Sequence, residues 1–120
     1  MSPMYSPQVL DHFQNPRNAG DLPDATVSTE VHNPACGDVL QLSLKVDAGR
    51  ISDVRFRAKG CVASMACASA MTGLVKGRSL AEARQLRREE IVNTLGGLPE
   101  ASVHASHLAM DALSVALKKL

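Results

Sequence analysis

LQLSLKVDAGRISDVRFRA, residues 40–58, decides the fold. Leu40, Leu42, Leu44 and Val46 alternate with Gln41, Ser43 and Lys45, the period-two pattern of a sheet with one wet face. Asp47-Ala48-Gly49 has the length of a hairpin turn, with Gly49 available for a positive φ. Ile51 to Ala58 is the return strand, with Val54, Phe56 and Ala58 on one face and Arg55 and Arg57 on the other. Upstream, Thr26 to His32 is β-branched and alternates through Val27, Thr29 and Val31, which predicts another strand. Three consecutive strands on short links make an antiparallel meander whose apolar face needs a cover.

Helices supply the cover. Ser6 caps and Pro7 opens a short helix over 6–14, on which Val9, Leu10 and Phe13 fall to one side. Asn15-Pro16-Arg17-Asn18-Ala19-Gly20 breaks it. A second helix runs from Cys61 to about Lys76 and stops at Gly77. Ser79 and Glu82 form a capping box for a short helix ending near Gln85 or Leu86. Arg88 to Leu95 is another, stopped by Gly96-Gly97. The last helix spans 101 or 102 to 119, with Leu108, Ala109, Ala112, Leu113, Ala116 and Leu117 at steps of three and four. The fold class is α+β, a three-stranded antiparallel sheet with helices on one face. One domain fills residues 1–120: a helix and turn over 1–20, the meander over 25–58 and a helical part over 61–120.

Composition narrows the function. Of 120 residues, 45% are apolar and 21% charged, with a net charge of +1, an ordinary globular mixture. No basic surplus points to nucleic acid or an anionic membrane, and the only aromatics are Tyr5, Phe13 and Phe56, too few for base stacking. The start, MSPMYSPQ, has neither basic n-region nor apolar core. Three cysteines without an export signal predict a reducing cytoplasm rather than a disulfide framework.

Those cysteines carry the chemistry. Pro34 and Gly37 force a turn around Cys36, and Asp38 sits where the next strand starts. The turn suits an inert thiol with an Asx hydrogen bond, or a thiolate presented beside a carboxylate. Cys61 falls after the strand-breaking Gly60 at a helix start, where backbone N–H groups and the dipole favour negative charge. It reads as a thiolate, or else as a small buried cap residue. Cys67 lies about 240° further around that helix, in line with Met71 and Leu74, and reads as a core thiol. His104 and His107 stand one turn apart near the start of the last helix, either on a solvated face or aimed at one ion. If Cys36, Cys61 and His104 meet at one pole, thiolates and imidazole suit zinc, ferrous iron or an iron–sulfur cluster. Nucleophile elbows, phosphate-cradling loops and paired carboxylates do not occur, so the chain does not read as an enzyme.

Over nearly its full length the chain resembles the IscU/NifU-type iron–sulfur cluster assembly scaffolds. Asp11-His12-Phe13-Gln14-Asn15-Pro16-Arg17-Asn18-Ala19-Gly20 is similar to the family's opening signature, Asn33–Asp38 to its first ligand loop, and Gly60–Ala83 to its second ligand segment and helix. Leu98–Leu113 is similar to the third segment, where the family places a His followed directly by a Cys. The resemblance implies a non-enzymatic carrier, and the sequence leaves both a monomer and a homodimer open. Cys36, Cys61 and His104 would be ligands and Asp38 the carboxylate that keeps the cluster, a [2Fe–2S] unit, labile. The implied partners are a cysteine desulfurase that delivers sulfur and acceptor proteins that receive the cluster.

Two departures stand out. The family's third cysteine is Ala105 here, and its chaperone-binding L-P-P-V-K reads Leu98-Pro99-Glu100-Ala101-Ser102, which argues against recognition by that dedicated chaperone pair. Two thiolates with His and Asp hold Zn2+ or Fe2+ readily but grip a cluster less tightly than three thiolates. His107 is a substitute donor. The rival readings are a zinc- or iron-binding paralogue with impaired assembly and a sulfur-transfer accessory to the desulfurase.

Overall fold

The structure, a computed structural model, describes residues 5–34 and 37–120. Helix α1 (Pro7–Gln14) is followed by strands β1 (Val27–Asn33), β2 (Asp38–Asp47) and β3 (Arg50–Lys59). Helices α2 (Val62–Val75), α3 (Leu80–Arg84), α4 (Arg88–Thr94) and α5 (Val103–Lys118) follow, the last entered through a 3-10 turn at Glu100–Ser102. The sheet is antiparallel in the order β1-β2-β3, as its alternation predicts. Leu40, Leu42, Leu44, Val54 and Phe56 are buried on one face, and Ser28, Glu30, Gln41 and Arg57 are exposed on the other. Burying Leu42 and Phe56 stabilises the fold by about 1.5–3 kcal/mol each. Helices α2 and α5 cover the apolar face.

The hairpin differs from its expected form in two places. Both loop residues are left-handed, Ala48 at φ 52° and Gly49 at φ 76°, so the turn carries strain at Ala48 that glycine alone would not have introduced. A bulge between Lys45 and Val46 then breaks the alternation. Val46 is only half-buried, its N–H donating to Thr26 Oγ1 at 2.8 Å, and Ile51 takes the core position instead.

The first helix also corrects the expectation. Val9 is buried, but Leu10 and Phe13 stay 39% and 37% exposed. Val9 and a set of polar anchors, rather than the whole apolar trio, set how α1 lies on α2. His12 Nδ1 is 2.8 Å from Ser69 Oγ, the Arg17 N–H donates to the same oxygen at 2.8 Å, and Asn18 Nδ2 donates to Thr72 Oγ1 at 3.3 Å. The Asn15–Gly20 turn is thus fastened to α2 rather than serving only as a break.

Helix α2 is buried almost all round, because its Ala and Ser side chains let the sheet, α1, α4 and α5 approach closely. Cys67 is fully buried within it. Burial, with a smaller contribution from the charge of Cys61, pushes its thiol up to about 12, so it is a core residue as its helix phase predicts. The capping box on α3 forms as read: Glu82 N–H donates to Ser79 Oγ at 3.1 Å and Ser79 N–H to Glu82 Oε1 at 3.0 Å.

Candidate metal centre

One end of the sheet and the starts of two helices meet. Strand β2 begins at Asp38, opposite Asn33, after a turn in which Gly37 has φ 73°. Strand β3 ends at Lys59, opposite Val39. Gly60 then turns the chain, and Cys61 becomes the N-cap of α2 without making a side-chain capping bond. The 3-10 turn at Glu100–Ser102 delivers α5 so that His104 lies in its first turn. Sequence positions 38, 61 and 104 thereby converge.

One ligand atom each from Asp38, Cys61 and His104 lies within 4.8 Å of the others. Cys61 Sγ is 3.6 Å from Asp38 Oδ2 and 4.0 Å from His104 Nε2, and that nitrogen is 3.7 Å from Asp38 Oδ2. A tetrahedral ion with zinc-like bonds of about 2.0–2.3 Å needs donors about 3.3–3.6 Å apart. The trio therefore has to contract by only a few tenths of an ångström to grip one ion. Sulfur, imidazole nitrogen and carboxylate oxygen together suit zinc or ferrous iron. Cys61 stands at the α2 N-terminus, whose first N–H groups point toward the site.

The floor of this site is dry and its rim is wet. The Asp38 side chain is 5% exposed, that of His104 37%. Asp38 Oδ2 accepts a hydrogen bond from Ser64 Oγ, which is itself buried and 3.3 Å from Cys61 Sγ. On the other side the carboxylate lies against Gly60, where a Cβ would sit 2.2 Å from Oδ1. Neither the glycine nor the serine stands out in the sequence for this role. The one available signal for Ser64 is its spacing, three residues past an N-cap and hence on the N-cap's side of the first turn.

The remaining expected residues are Cys36 and His107. Cys36, with Ala35, lies outside the described residues. His107 is exposed on α5, outside the Asp38–Cys61–His104 group, beside a shallow pocket of about 220 Å³ that His104, Asn33 and Pro34 also line. Ala105, which follows His104, is 1% exposed. Among the described residues no helix is long and apolar enough to cross a membrane.

Comparisons with known proteins agree with this architecture. The iron–sulfur cluster assembly scaffold protein IscU 1 of Archaeoglobus fulgidus is 45% identical over 114 residues, covering 95% of this chain and 74% of that protein. The scaffold protein IscU of Escherichia coli is 45% identical over 117 residues, covering 94% of this chain and 91% of that one. Two solved structures share the fold. One is a crystal structure described as a putative iron–sulfur cluster assembly scaffold protein for the SUF system from Fervidobacterium islandicum, with a TM-score of 0.79 at 23% identity over 95% of this chain and 96% of that one. The other is the N-terminal part of a NifU-like protein from Brucella abortus, with a TM-score of 0.77 at 22% identity over 97% and 93%. The pattern of the NifU-like N terminal domain matches residues 4–120, and the chain belongs to that family.

Proposed function

We propose that this protein is an iron–sulfur cluster assembly scaffold, on which iron and sulfide meet and from which the assembled cluster passes to acceptor proteins. The convergence of Asp38, Cys61 and His104, in a chain 45% identical to proteins named for that role, carries the reading. The protein acts as a carrier, not a catalyst, and the cluster is its cargo. Cys36 and Cys61 provide thiolates, His104 a nitrogen and Asp38 an oxygen donor. Carboxylate is a harder and weaker partner for cluster iron than thiolate, so Asp38 favours release as well as capture. Sulfur comes from a cysteine desulfurase and needs two electrons to pass from the sulfane to the sulfide level, so a reductant belongs to the reaction.

Anaerobic reconstitution with Fe2+, sulfide and a reductant tests this reading. The expected product has sulfide-to-iron charge-transfer absorption of a [2Fe–2S] type, lost in Cys61→Ala and in Cys36→Ala. Absence of such absorption in the parent, or Cys61→Ala behaving like the parent, would refute it. A second reading, a zinc- or iron-binding paralogue with impaired assembly, is favoured by Ala105, which leaves one thiolate fewer than the family pattern. The variant Ala105→Cys separates the two. Cluster formation only in the variant supports the paralogue, whereas assembly by the parent supports the scaffold, with a donor such as His107 completing the set.

A further inference from the structure

The side chains at the site converge on one oxygen atom. Asp38 Oδ2 faces Cys61 Sγ at 3.6 Å and His104 Nε2 at 3.7 Å, and it also accepts the hydroxyl of Ser64. A serine hydroxyl has a single proton to donate. In a helix it commonly goes to a carbonyl one turn back, yet Ser64 sends it across to β2, 26 residues away in sequence. Ser64 is 3% exposed, which leaves little room for water as a substitute donor. The other carboxylate oxygen is confined by Gly60. Rotation about χ2 of an aspartate is soft, and the hydroxyl of Ser64 joins the Cys61 thiol in holding Oδ2 turned toward the cysteine and histidine.

We propose that Ser64 is a positioning residue for the metal centre: its hydrogen bond clamps the Asp38 carboxylate with Oδ2 turned toward Cys61 and His104. Ser64 acts through Asp38 and is not itself a ligand. The inference rests on the reading that Asp38, Cys61 and His104 hold a metal ion. Outer hydrogen bonds to ligating groups typically raise metal affinity about 10–100-fold.

The test is an anaerobic titration of the apo protein with Co2+, following thiolate-to-cobalt charge transfer and the d–d bands. The parent, Ser64→Ala, Asp38→Ala and the double variant are compared, with urea unfolding of each apo form alongside. Ser64→Ala is expected to weaken Co2+ binding about 10-fold or more and, with Asp38 already alanine, to have no further effect. A merely structural serine would lower apo stability and weaken binding equally in both backgrounds. Ser64→Thr, which keeps the donor, is expected to bind more tightly than Ser64→Ala. Parent-like binding by Ser64→Ala, or an equal loss in the Asp38→Ala background, would overturn the proposal while leaving the metal reading intact. Failure of the parent to give cobalt–thiolate absorption would instead overturn the metal reading.

Discussion

Replacing Gly60 by alanine should damage both the fold and the site, for a reason the geometry quantifies. An added Cβ would lie 2.2 Å from Asp38 Oδ1 and 2.5 Å from Asp38 Cγ, against an ordinary contact of about 3.5 Å. The carboxylate or the β3–α2 connection must therefore move by roughly 1 Å. Forcing extra atoms into a packed interior costs about 1–3 kcal/mol. The backbone at φ 155° is one that side-chain-bearing residues rarely adopt, which adds about 1–3 kcal/mol. Urea unfolding of the apo protein should thus show Gly60→Ala destabilised by about 2–6 kcal/mol, and Co2+ affinity should fall with it. The decisive measurement is the cycle with Asp38→Ala. Without a carboxylate most of the steric part disappears, leaving the Asp38 Cβ at 3.0 Å and the backbone part, so the two substitutions should couple by about 1–3 kcal/mol. Stability of Gly60→Ala within about 0.5 kcal/mol of the parent, or additive effects in the cycle, would show that the close approach of Asp38 to Gly60 is not real.

Three further outcomes follow from other parts of the molecule. Ala48→Asn creates an Asn-Gly loop suited to two left-handed residues and should raise stability by about 1 kcal/mol in urea unfolding; an unchanged midpoint would contradict the strain at Ala48. Cys67, with its thiol pushed up to about 12, should resist iodoacetamide at pH 8 in the folded protein and react after denaturation, as read by peptide mass spectrometry. Labelling of Cys67 as fast as Cys61 would refute its burial. The ordinary titration of His12 is displaced downward by burial and then by Arg17, against a smaller opposing effect of Asp11. The unfolded chain therefore takes up a proton before the folded one does. Stability should be lost as pH falls through the ordinary histidine range toward the lower folded value, and His12→Gln should lose less of it over that interval. Equal losses in the two proteins would exclude His12 as a source of the pH dependence.

The meander was legible because one sheet face is buried and the other wet, which imprints directly on alternate residues 40 to 44 and 54 to 58. The bulge at Lys45/Val46 was not, because an apolar Val46 fits the alternation whether or not the register slips there. Leu10 and Phe13 misled in a related way: a short helix carries few apolar residues, and its rotation was decided by Ser69 and Thr72, more than 50 positions away. Of the centre, Asp38, Cys61 and His104 could be singled out by residue type and by their places at a strand start and helix starts. Their approach to within hydrogen-bonding and ion-pairing range is tertiary information. Ser64 was hidden in a run of alanines and serines, where nothing local separates a residue that helps fill the core from one that reaches across it.

The outer side of β3 is already taken. Gly20 N–H donates to the Phe56 carbonyl and Phe56 N–H to that of Asn18, both at 2.9 Å; nearer the hairpin, Ile51 N–H donates to Arg78 at 2.9 Å and Gly77 N–H to Ile51 at 2.7 Å. A foreign strand seeking an open ladder finds those rungs occupied by the chain's own turns. On the opposite margin, Glu30 sits exposed in the middle of β1 and Lys119 Nζ contacts the Ser28 carbonyl at 3.4 Å, charged features of the kind that discourage edge-to-edge growth. A sheet of only three strands is in this way guarded at both margins against recruiting a fourth.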